Sequence, residues 1–364
     1  MLRKLPILLC MLALIISFSL DYTQKRDINI TLSPIQSDKN TAIFAGYSED
    51  GSISEYVVTY LKKLKEIAPN IIYVTDNQLS KNQLRKIKPY VNHVIAHRHG
   101  EYDWGSFKRG YNWLIAQNSN PKNVSPTKDE INCHAKSDSQ ENSNSKDVSS
   151  TKDEIKCSAG SEFATAVYKK RYIKEQIHNH ESILAHPNLI LANDSTITLA
   201  ESFQPLLADM QQKQADVYGI TANTDGTYHI QSYFMVLNNK AYNDTNFANY
   251  LNNVKKEQDG LTVAYRYEVP FTQYMQSLGY KTATYIPYES LQHLPLNDKN
   301  CYPLTLISQY NMPLLKMRTF TNRLTVQESR RLVFSWLKKH KPQAYKELIK
   351  HLTKIKSPYL NENK

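Results

Sequence analysis

Three polar residues, Asn193-Asp194-Ser195, close the apolar run Leu189-Ile-Leu-Ala192. A short strand buried on both faces of a parallel sheet reads as such a run. Polar side chains at its carboxyl end face the crevice where open α/β sheets bind ligands. A carboxylate there, Asp194, can hold a hard divalent cation, Mg2+ or Mn2+, and through it a diphosphate. A plain turn or helix cap accounts for the same three residues without any ligand. A second dense stretch is His97-Arg-His-Gly-Glu-Tyr-Asp-Trp-Gly-Ser-Phe-Lys-Arg-Gly110. Arg98 can fork onto a phosphate, Gly100 and Gly105 permit turns closed to other residues, and Asp103 stands between two aromatics where it can grip a ribose or sugar hydroxyl pair. A tight loop with Asp103 capping the next helix is the structural alternative. His97 and His99 have a metal-ligand spacing that a solvated pair shares. Gln231 and Tyr233 alternate on one expected strand face and suit a sugar, the amide donating and accepting while the ring stacks. A buried, backbone-satisfied Gln is the other reading. Glu268 is a carboxylate at an expected helix start, where the dipole favours it, and is a candidate general base with Asp103 second.

Strands and helices must hold these groups together. Thr41–Ala45, Ile71–Val74 and Val91–Ala96 read as strands. Between them, Ile53, Val57, Leu61, Leu64 and Ile67 recur at helical intervals, and Ser80-Lys-Asn-Gln83 opens a short basic helix. Ser52-Ile-Ser-Glu55 and Ser80-Lys-Asn-Gln83 both have capping-box spacing. Strand and helix in alternation predict a doubly wound, mostly parallel α/β sheet. Farther on, a helix is expected from Ser195 to Gln214, strands at Ala215–Thr221 and His229–Leu237 around an Asp225-Gly226 hairpin turn, a helix from Tyr267 to Leu278, and a last strand at Lys281–Ile286.

The chain has 364 residues, enough for one large α/β domain or two modest ones, and Lys+Arg exceeds Asp+Glu by 45 to 34, a net +11. That excess suits an anionic partner without choosing among nucleotide, phospholipid and nucleic acid. Met1–Leu20 has Arg3 and Lys4 before an apolar run, close to a signal-peptide core or a short anchor. Residues 21–40 read as a linker. Residues 118–161 are a low-complexity insert in which Thr127-Lys-Asp-Glu-Ile131 recurs as Thr151-Lys-Asp-Glu-Ile155, too poor in apolar residues to build a core. The four cysteines form no Cys-x-x-Cys, which indicates neither zinc nor a disulfide framework. Residues 319–364 form a basic helical extension, with Thr325-Val-Gln-Glu328 capping one helix. In the next, Leu348, Ile349, Leu352 and Ile355 alternate with Lys346, Lys350 and Lys354. Such a helix can lie on an anionic membrane surface or pack with its basic face solvated.

Taken in order, Asp50-Gly-Ser-Ile-Ser, Arg98 to Gly110, Leu189 to Ser195, Ala215 to Thr221, His229 to Phe234 and Met312-Pro-Leu-Leu-Lys316 resemble the rhamnan synthesis protein F family of bacterial polysaccharide and lipopolysaccharide biosynthesis, across about residues 41–318. The resemblance implies a GT-A-like, Rossmann-like glycosyltransferase domain acting on cell-surface glycans. Carried over by position, it adds Tyr102, Asn193, Ser195 and Lys316 to Arg98, Asp103, Asp194, Gln231 and Tyr233 as nucleotide-sugar-binding or catalytic positions. His99 and Trp104 depart from the family pattern, and the insert is extra.

The resulting expectation is a transferase moving a sugar, rhamnose among the candidates, from a nucleotide-diphosphate donor to a glycan or lipid-linked glycan. Asp194, helped by Asn193, holds the metal, and Arg98 or Lys316 adds positive charge. The rival is a non-catalytic glycan-binding protein on the same scaffold. No nucleic-acid module is recognisable. Donor supply favours the cytoplasmic face of the inner membrane, with export through the apolar segment as the alternative.

Overall fold

The computed structural model describes residues 22–118, 186–321 and 328–363. Met1–Trp113 with Leu184–Lys364 forms one compact unit and Leu114–Ile183 another, of which only Leu114–Asn118 is described. The apolar N-terminal run, the repeated insert beyond Asn118 and Thr325 lie outside the described residues.

The core of the first unit is an eight-stranded sheet: β1 (Ile28–Thr31), β2 (Thr41–Gly46), β3 (Asn70–Thr75), β4 (His93–Ala96), β5 (Asn188–Asn193), β6 (Val217–Gly219), β7 (Phe234–Asn238) and β8 (Thr282–Thr284). The spatial order is β8-β6-β7-β5-β2-β3-β4-β1. Strands β2 to β5 run parallel, β7 is antiparallel to both β5 and β6, and β1 is antiparallel to β4. Every residue of β2, β3 and β4 is buried, the condition under which strands read as unbroken apolar runs. The expected α/β sheet is therefore present, with two antiparallel members.

Helices α1 (Glu55–Leu64), α2 (Lys81–Ile87), α3 (Tyr102–Asn118), α4 (Gln204–Lys213), α5 (Phe271–Ser277), α6 (Pro303–Gln309), α7 (Arg330–His340) and α8 (Pro342–Lys354) flank it. Helix α1 buries Tyr56, Val57, Tyr60, Leu61 and Leu64, one helical stripe.

Several expectations are corrected. Residues 21–40 are not a bare linker, because Ile28–Thr31 completes the sheet edge beside β4. Thr196–Thr198 is a strand paired with Leu314–Lys316, so the following helix starts only at Gln204. The expected strand from His229 to Leu237 is broken. His229–Ile230 pairs with Ala222–Asn223 in a hairpin, and β7 begins afresh at Phe234. Glu268 does not open a helix. It ends a π-helical turn, Ala264–Glu268, inside a helical stretch that begins at Gly260. Ser54, not Ser52, is the N-cap residue of α1, and its hydroxyl meets His351 Nδ1 at 2.9 Å. Ser80 does cap α2, accepting from the Gln83 amide, while Gln83 Oε1 accepts from Ile53 N–H at 2.8 Å.

The C-terminal helices are part of the core rather than an extension. Val333, Phe334 and Leu337 of α7 and Leu348 and Leu352 of α8 are buried in it. Helix α8 packs on α1, with Thr59 donating to Glu347 at 2.7 Å and Lys350 and Lys354 paired with Glu55 and Asp50. Of the apolar stripe expected there, Leu348 and Leu352 are used inside the protein, while Ile349 is half-buried and Ile355 exposed. Glu328, expected to cap its own helix, accepts from the Leu304 and Thr305 amides and so caps α6.

Candidate active site

Four parallel strands end at one edge, and the chain that follows each carries a polar group: Tyr47 after β2, Asp76 after β3, Arg98 and His99 after β4, Asp194 after β5. They open onto a cleft of about 770 Å³. Its walls include Arg98, Tyr102, Asp103, Asn193, Asp194 and Ser195 from the sequence-expected set, with Tyr47, Asp76, Lys256 and Glu257 besides.

Asp194 lines the cleft, with Oδ2 accepting from Tyr47 N–H at 2.7 Å. Its own amide bonds Ala45 O, and its carbonyl accepts from the Tyr56 hydroxyl at 3.0 Å. Burial pushes its carboxyl up to about 7, reinforced by Asp103 and partly offset by the Tyr47 amide. Asn193, which also lines the cleft, has its side chain bonded to residues other than Asp194. It accepts from Ser195 Oγ at 2.6 Å and donates to Asp103 Oδ2 at 2.8 Å. The three residues form a short relay, Ser195 to Asn193 to Asp103. Burial and the neighbouring Glu268 raise the Asp103 carboxyl, against the pull of Asn193 and Lys316.

The loop after β4 is held by a residue that no sequence motif flagged. Asp76 Oδ1 accepts from the amides of His99 (2.6 Å) and Gly100 (2.9 Å). Gly100 has φ +68°, the left-handed region that favours glycine, and a Cβ there would press on the flexible end of Lys256 at 3.0 Å. Tyr102 follows with φ 57°, a rare conformation for a ring-bearing residue, and is 42% exposed. Backbone of this kind clusters at ligand clamps. Arg98 and Lys256 are exposed at the cleft and have no hydrogen-bond or ion-pair partner among the described residues. Glu101 is spoken for by Lys108 and Arg109. His97 and His99 are likewise engaged, with Arg109 and Ser106. Among the described residues no three His, Cys, Asp or Glu side chains gather as metal ligands.

Glu268 and Lys316 stand next to this group rather than in the cleft wall. Glu268 Oε1 accepts from Ser232 N–H at 2.9 Å. Lys316 Nζ lies 4.4 Å from the centre of the Tyr233 ring. Burial, with Arg318 beside it, brings the Lys316 ammonium down to about 8, against the pull of Glu268, Asp298 and Asp103. Gln231 and Tyr233 differ from expectation. The break before β7 turns both inward: Gln231 accepts from Asn300 Nδ2 at 2.7 Å, and Tyr233 is fully buried with its hydroxyl on Thr221. Neither presents a face to a sugar in the cleft.

Sequence reasoning missed Tyr47 and Asp76, although both follow strands and the strand-end rule that selects Asp194 covers them. It also missed Lys256, Glu257 and the ion pair of Arg318 with Asp298 near Lys316, which come from distant loops without a local signal.

No curated protein matches the sequence. Among solved structures, core-mannan synthase A from Aspergillus fumigatus, in its Mn/GDP form, overlaps 72% of this chain and 78% of its own at 8% identity and a TM-score of 0.31. Mouse xyloside xylosyltransferase 1, apo form, overlaps 86% and 94% at 8% identity and a TM-score of 0.25. Both overlaps are loose. The sequence profile described as rhamnan synthesis protein F matches residues 139–362, more than half of the chain, taking in Asp194, Glu268 and Lys316 and running past residue 318. The chain therefore belongs to the rhamnan synthesis protein F family, and its enzyme class is glycosyl transfer in polysaccharide synthesis.

Proposed function

We propose that the cleft binds a nucleotide-diphosphate sugar, with a rhamnosyl donor suggested by the family, and that the chain passes the sugar to a growing cell-surface glycan such as rhamnan or O-antigen. The supporting observation is the company kept in one cleft: carboxylates Asp103 and Asp194, cations Arg98 and Lys256 that pair with none of the described residues, and exposed rings Tyr47 and Tyr102. A nucleotide sugar calls for this combination. Rings stack on the base, cations meet the diphosphate, and carboxylates take hydroxyls or a cation.

A divalent ion fits the residues if the donor completes its shell. Mg2+ is typically held by one or two carboxylates plus substrate phosphates and water, not by a protein cage. Asp194, buried enough to resist ionising by itself, is the side chain that would hold it. Such an ion, when bound, stabilises charge on the departing diphosphate. Arg98 and Lys256 add fixed positive charge to the same group. Asp103, kept in place by Asn193, faces the cleft with a raised affinity for protons. That makes it better placed than Glu268 to take the acceptor's proton.

Asp194→Asn should lower transfer from a nucleotide-rhamnose donor with Mn2+ at least about a hundredfold, with an unchanged circular dichroism spectrum. Wild-type turnover in that variant would remove the site.

A further inference from the structure

On the α7–α8 side lie two adjoining cavities of about 340 and 240 Å³ that share Leu199, Ala200, Glu201 and Lys341. The larger is lined by the half-buried rings of Tyr285 and Trp336 together with Ser202, Glu201 and the exposed Asn311. His340 packs against the Trp336 indole, ring centres 4.9 Å apart, so the ring is fixed while it lines the cavity. Asn311 has φ 51° and no hydrogen-bond partner among the described residues. Lys341 pairs with Glu201 at 3.3 Å across the junction of the two cavities. Charge is thus balanced there. Nucleic acid would call for a net positive groove, and a protein partner for a broader apolar patch. Rings that line one cavity with amide, hydroxyl and carboxylate groups suit a neutral polyhydroxyl chain.

The groove is wired to the donor cleft. The ribbon of Thr196–Thr198 and Leu314–Lys316 starts beside Ser195 and Lys316. It ends where Leu199 and Ala200 donate to Pro313 O, within the groove lining. We infer that this groove is a second carbohydrate site, binding an already-built stretch of the acceptor polysaccharide against Trp336 while its end is extended elsewhere. The sugar's identity rests on the family reading; the groove itself does not depend on the donor cleft.

The test titrates the full chain by calorimetry with rhamnose oligosaccharides of two and six residues, and assays acceptor-free hydrolysis of a nucleotide-rhamnose donor in parallel. The hexasaccharide should bind. Trp336→Ala and the surface variant Asn311→Ala should each weaken it at least about tenfold and leave donor hydrolysis unchanged. Asp194→Asn should show the reverse pattern. Hexasaccharide binding that ignores both groove variants, or no binding by the wild-type chain, overturns the inference. If the groove variants lose binding while Asp194→Asn keeps full hydrolysis, the donor site falls and the groove stands.

Discussion

Lys316 shows how burial sets the working range of a single side chain. Its ammonium sits over the Tyr233 ring with Arg318 close by, and it loses its proton near pH 8 rather than at the usual 10.5. If its charge aids the departing diphosphate, kcat/KM for the donor should fall as pH rises through about 8, since that ratio reports ionisations of the free enzyme. Lys316→Arg should move this limb upward, because a guanidinium keeps its charge. An unmoved limb would deny Lys316 the role. The sign for stability is opposite. Between 8 and 10.5 the unfolded chain binds more protons at this residue than the folded one, so this group makes the fold more stable as pH rises. Lys316 itself therefore does not drive unfolding in that window, and circular dichroism across the same pH range separates loss of activity from loss of fold. Asp194 was legible at this scale because the apolar run before it marks a buried strand end. Gln231 and Tyr233 were misjudged because their surroundings are fixed from far away: Thr272 takes the Ile230 amide and Glu268 the Ser232 amide, ending the strand between them.

At the scale of elements, β2 to β5 and α1 were readable since burial on both faces, or along one stripe, leaves a local pattern. The π turn at Ala264–Glu268 and the edge strand β1 leave none. The pairing of α8 with α1 was also invisible, because an amphipathic basic helix reads alike whether its partner is protein or lipid. In the structure Leu348 and Leu352 are buried in the protein core, which makes a measurable claim. Leu348 of α8 is fully buried in the core. Leu348→Ala should cost about 3 kcal/mol of unfolding free energy, within the usual span for buried leucines. A loss below about 0.5 kcal/mol, the ordinary scale for surface sites, would mean that α8 is not part of the folded core.

For the whole molecule, charge and sidedness remain coupled. Among the described residues no helix is long and apolar enough to cross a membrane. We propose, from donor supply alone, that the folded unit works on the cytoplasmic side, where nucleotide sugars are made. A cytoplasm-active reporter fused to the C-terminus should be active, whereas activity only of an export-dependent reporter would reverse the assignment. The net +11 suits anionic donors on either side and does not decide between them.

The bond from Tyr56 to the Asp194 carbonyl ties the cleft floor to α1, and α1 is covered by α8. During synthesis the ribosome delivers the strand ends that form the cleft long before it delivers residues 342–354. Until then the flank of α1 that meets Glu347, Lys350 and His351 is bare, an adhesive surface on the nascent chain. A stop codon between α7 and α8 would therefore yield a polypeptide carrying every cleft residue yet prone to clump before it could ever turn over a substrate.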